Sequence, residues 1–116
     1  METPKLNTTY DFELVDGSTT KLTLAFYALL QLKSRNKSLY ERYNKCIVEQ
    51  TRGNYDDLDN ITVLYAAYVC AHLNDSEMMS EEEFIMMCGS DREAVGLAIG
   101  ALLAPKKQKA SDNLSN

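Results

Sequence analysis

The chain has 116 residues, of which 45% are hydrophobic and 25% charged, and carries a formal net charge of -5. That length supports one hydrophobic core and no second domain, and it disfavours an enzyme with an elaborate cleft. A pI near 4.8 argues against nucleic acid as the main partner, because affinity for phosphate rests on clustered Lys and Arg.

The charges are unevenly distributed. Lys21 to Arg52 holds seven bases against Glu41 and Glu49, for +5, whereas Gly53 to Glu93 holds ten acids against Arg92 alone, for -9. Blocks of opposite sign either close on each other within one molecule or pair between copies. The polar start Met1 to Thr9 lacks the apolar stretch of a secretory signal. The uncharged run Ile61 to Leu73 is too short and too polar for a membrane span. Cys46, Cys70 and Cys88 lie far apart in apolar patterns, as reduced thiols of a cytosolic protein do.

Chain order begins with a β-hairpin. Tyr10, Phe12 and Leu14 alternate with acids, Asp16-Gly17 marks a turn, and Thr20, Leu22 and Leu24 resume the alternation. A three-residue loop, Val15 to Gly17, sets Phe12 opposite Thr20 and Tyr10 opposite Leu22, so the apolar faces agree. Helix one is expected from about Leu24 to Arg35. Its apolar residues nearly encircle it, which predicts cover on most sides. Ser38 with Glu41 reads as a capping box for helix two, Ser80 with Glu83 for helix four, and Ser90 with Glu93 for helix five. Met79 is placed to staple onto Phe84. Asp56, Asp57 and Asp59 suit the positive end of helix three, whose run Ile61 to Ala71 has no polar face and reads as central. The expected architecture is mainly α: an N-terminal β-hairpin, then a compact bundle of about five helices ended by Pro105. Residues 1–9 are expected to be flexible, 10–104 to form the single domain, and 105–116 to be a disordered basic and polar tail.

Chemistry is sparse in this pattern. His72 is the one histidine and sits one turn after Tyr68, which favours a satisfied helix-end imidazole over a general base. The cysteines lack zinc spacing, and the acids from Asp75 to Glu83 lack the glycine of an EF-hand loop. No catalytic residue, cofactor or metal ligand is therefore assigned. Gly96 and Gly100 form a Gly-x-x-x-Gly pair, and two helix-interior glycines suggest that bulk is forbidden there, either by a neighbouring helix of the same chain, the favoured reading, or by a partner. Leu102 and Leu103 extend that candidate surface. Seven tyrosines, among them Tyr65 and Tyr68, and the methionine group that includes Met86 and Met87 lean towards protein binding.

The strings "LAFYALLQLKSRNKSLYERYN" from Leu24, "ITVLYAAYVCAHL", "MSEEEFIMMCGSDREAVG" and "LLAPKK" resemble the small tail assembly chaperones of long-tailed bacteriophages and prophages of Gram-positive bacteria. The similarity spans about Tyr10 to Lys107 and includes no catalytic signature. It implies a helical protein of the bacterial host cytoplasm that binds the tape measure protein, keeps it soluble and extended for tail tube polymerisation, and is absent from the mature virion. The resemblance also implies a longer form made by ribosomal frameshifting that reaches the tail tube protein. Lys106-Lys107 is compatible with the slippery position. Separately, the oppositely charged blocks can bring neighbouring copies head to tail, giving self-association into oligomers or open spirals. Neither nucleic acid nor membrane is expected as a partner. The alternative is a structural or connector component of the tail, or a small helical adaptor.

Overall fold

A computed structural model describes residues 9–103. The expected residues 1–9 and 105–116 lie, apart from Thr9, outside the described residues, as do Lys106 and Lys107. Strands β1 (Tyr10–Glu13) and β2 (Thr19–Leu22) pair antiparallel with Tyr10 opposite Leu22 and Phe12 opposite Thr20. This is the register set by a Val15 to Gly17 loop. The loop closes because Leu14 N–H donates to the Ser18 carbonyl at 2.8 Å and Gly17 takes φ +90°. Asp16 accepts from both the backbone N–H and the hydroxyl of Ser18, which hold its carboxyl below the usual range. Phe12, Leu14, Leu22 and Leu24 are buried beneath the hairpin.

Five helices follow: α1 (Phe26–Arg35), α2 (Lys37–Thr51), α3 (Asp57–Ala71), α4 (Glu81–Cys88) and α5 (Arg92–Leu103). Among the described residues no helix is long and apolar enough to cross a membrane. Helix α3 is the axis, contacting β2 and all four other helices. Its residues Val63, Leu64, Ala66, Ala67, Tyr68, Val69 and Cys70 are all buried, as an apolar run without a polar face requires. A capping box starts it, with Asp56 accepting from Asp59 N–H and Asp59 accepting from Asp56 N–H.

Three boundaries differ from the sequence expectation. Helix α1 begins at Phe26, because Thr23 and Leu24 are held by the interior: fully buried Thr23 donates its N–H to the Ala67 carbonyl at 3.1 Å and accepts from Ala25 N–H at 3.1 Å. Helix α2 is capped by Asn36, whose Oδ1 accepts from Leu39 N–H at 3.1 Å, so the Ser38–Glu41 box is not used. Helix α5 is capped by Asp91, accepting from Ala94 N–H at 3.0 Å, and not by Ser90. In both cases an Asx carboxyl or amide oxygen three residues before a free N–H makes the bond that was assigned to a serine. The Ser80–Glu83 box forms as expected. Met79 packs against the core just before it, and Phe84 is fully buried.

Gly89 ends α4 at φ +72°, ψ -150°, and a Cβ there would lie 2.7 Å from Val15 Cγ1. This closeness lets Val15 N–H donate to the Met87 carbonyl at 2.9 Å, which docks the hairpin loop on the open end of α4. Two stability changes are expected in denaturant titrations. Phe84→Ala should lower stability by about 3–5 kcal/mol through its cavity, and Gly89→Ala by about 1–3 kcal/mol through backbone strain. A midpoint at the wild-type value in either would contradict this packing.

Candidate functional site

The reactive side chains are occupied by structure. His72 closes α3: its Nδ1 lies 2.6 Å from Asp75 Oδ2, its Nε2 lies 3.1 Å from Thr20 Oγ1, and its ring lies 4.6 Å from the Tyr68 ring centroid. It therefore ties the end of α3 to β2, the satisfied imidazole that its position suggested. All three cysteines are buried and unbridged. Burial pushes the Cys70 thiol up to about 12 and the Cys88 thiol to about 11, and raises Cys46, which also donates to Asp59 Oδ1 at 3.7 Å. Among the described residues no three His, Cys, Asp or Glu side chains gather to hold a metal ion.

The residues expected to bind a partner are divided by the fold. Tyr65 and Tyr68 turn inward. Tyr68 accepts from Met79 N–H at 2.9 Å, Tyr65 donates to the Met79 carbonyl at 3.0 Å, and both rings lie against Phe84. Their hydroxyls satisfy the backbone that leads into α4, which removes them from a binding surface. Leu102 is buried, and Leu103 and Met87 are half-buried against the core. Met86, in contrast, is 71% exposed.

The favoured reading of Gly96 and Gly100 is corrected. Both are exposed, and a Cβ at either would meet nothing within 4 Å. No helix of this chain fills the space among the described residues. With Leu97, 64% exposed, and Ala101 they form a smooth outward strip on α5.

A larger apolar surface escaped the sequence reading. On α1, Phe26, Tyr27 and Leu30 are exposed, Phe26 at 89%, so the expectation of a helix covered on most sides is wrong there. Phe26, Leu29, Leu30 and Lys33 of α1 and Tyr40, Tyr43, Asn44 and Ile47 of α2 enclose a groove of about 380 Å³. Lys33 Nζ sits 5.5 Å from the Tyr40 ring centroid, and no acid lines the groove. The signal was the surplus itself: seven apolar residues from Ala25 to Leu32 exceed what one buried stripe needs. Exposed Ile85 and Met86 form a second apolar edge on α4, and Ile85 lines a shallow pocket together with exposed Leu58 of α3.

No protein-family model, curated protein or solved structure matches this chain. The chemistry of the site therefore rests on its own geometry, and that geometry offers apolar surface. The charge blocks meet at one place among the described residues, where Arg42 donates to both oxygens of Glu81 at 2.8 Å. The Arg42 guanidinium holds the Glu81 carboxyl below its usual range.

Three measurements check this picture. Gly96→Ala and Gly100→Ala should each raise stability by about 0.5–1 kcal/mol, since the helix gains propensity and the methyl meets no atom; a loss would show a hidden neighbour. Thiol reagents at neutral pH should leave the native protein unmodified and label it fully once unfolded. Glu81→Gln should lower stability by about 0.5–1 kcal/mol at neutral pH, the pair being partly solvated. Because the folded-state pKa of Glu81 is lowered, that deficit should fade as pH falls through it, where wild type also carries a protonated carboxyl.

Proposed function

We propose that this protein is a non-enzymatic tail assembly chaperone of a long-tailed bacteriophage or prophage, working in many copies in the bacterial host cytoplasm. The observation that carries the reading is the open strip Gly96, Leu97, Gly100 and Ala101 on α5, which lets another helix approach closely with one leucine to grip it. The resemblance of Tyr10 to Lys107 to such chaperones supplies the partner: the long tape measure protein, whose apolar helical stripes aggregate when bare. Weak contacts repeated along that chain give useful avidity without high affinity per copy. On this reading the finished virion lacks the protein. A frameshift near Lys106-Lys107 adds an extended form that reaches the tail tube protein.

Co-expression with the tape measure protein tests the proposal. Wild type should raise the soluble fraction of the tape measure severalfold. Gly100→Leu should abolish that gain while melting no lower than wild type, because the leucine enters empty space in the free protein. Equal solubilisation by both, or abundant wild type in purified particles, would overturn it.

A further inference from the structure

We propose that the α1–α2 groove of one copy receives the α4 edge of a second copy, joining molecules head to tail. This names the contact by which the many copies of the proposed function would associate with one another, and it rests on that reading. The groove is apolar and aromatic, carries Lys33 and lacks an acid. The edge presents Met86 and Ile85, with Glu82 one turn before Met86 on the same face of α4. Among the described residues neither Lys33 nor Glu82 has an ion-pair partner. Apolar anchors and opposite charges thus match between the two surfaces.

They cannot meet within one molecule. At about 100° per residue, Arg42 points about 140–160° away from Asn44 and Ile47 around the α2 axis. Arg42 is the residue that fastens Glu81, the first residue of α4. The edge is therefore anchored on the side of α2 opposite the groove. A contact between unlike surfaces on opposite sides of a molecule leaves a free groove at one end and a free edge at the other, so assembly continues.

The test uses two full-length variants at highly exposed positions, Phe26→Asp in the groove and Met86→Asp on the edge. Each should melt as wild type does and, in sedimentation velocity, lose at least tenfold in self-association. Mixed in equal amounts they should form a discrete dimer that grows no further, because the intact edge of one fills the intact groove of the other and both remaining ends are blocked. Lys33→Glu and Glu82→Lys should likewise each weaken assembly and recover it when mixed. An oligomer of wild-type size with either aspartate variant, or a mixture that stays monomeric, overturns this contact while leaving self-association standing. A wild type that stays monomeric at high micromolar concentration overturns both, and Gly100→Leu tests the tape measure separately.

Discussion

Enclosure of α3 is the constraint on which the other elements depend. Seven consecutive or near-consecutive apolar residues, Val63 to Cys70, have no face that water can take, so partners must arrive from every side. Small residues decide how close they come. Ala66 and Ala67 are fully buried, and over them the chain leaving β2 approaches until Thr23 N–H reaches the Ala67 carbonyl. That bond fixes where the hairpin ends and where α1 begins, and the Thr23 hydroxyl then receives Ala25 N–H at the first turn. A two-stranded hairpin is marginal by itself. Here it gains a floor of helix, and α3 gains Leu22 and Leu24 as cover.

The link between α3 and α4 shows why tyrosine was needed at one buried and one half-buried position. Rings at Tyr65 and Tyr68 fill the volume beside Phe84, and their hydroxyls take the N–H and the carbonyl of Met79. Phenylalanine would fill the same space and leave that peptide unsatisfied, at about 1–3 kcal/mol for each stranded group. With Met79 fixed, Ser80 stands where its hydroxyl caps α4 and Glu83 reaches back to its N–H. The hydroxyls that look like interface donors in the sequence are thus used inside the fold.

What was legible follows from how local each signal is. Hairpin register depends on alternation within thirteen residues, Tyr10 to Leu22, and the structure has the register read from it. Burial of α3 was visible because its run from Val63 to Ala71 has no polar face. The caps at Asn36 and Asp91 were not, because each has a serine close by that satisfies the same pattern, Ser38 two residues after Asn36 and Ser90 one residue before Asp91, and only backbone geometry selects between them. For α1, periodicity counts apolar side chains but not neighbours, so the exposure of Phe26, Tyr27 and Leu30 stayed hidden. At Gly96 and Gly100 the helix penalty reads as a close neighbour, but spacing does not say whether that neighbour belongs to the same chain, and among the described residues no atom of this chain lies there.

Electrostatics and apolar exposure lead to one consequence. A single fork, Arg42 to Glu81, joins the basic and acidic blocks within the described residues. The same fork spends only one charge of each sign, so most of the +5 and -9 remain uncompensated across the blocks. Had the blocks closed fully on one another, the basic charges would be spent and an acidic excess would remain, leaving little long-range attraction for its own kind. Anchoring α4 by one pair instead holds the acidic edge on one side of α2 and leaves the groove with Lys33 on the other. Each surface pairs an apolar centre with a charge whose opposite lies on the far side of the same chain. In the proposed head-to-tail contact another molecule satisfies that polarity, and the intramolecular fork keeps the two surfaces of one molecule from satisfying each other first.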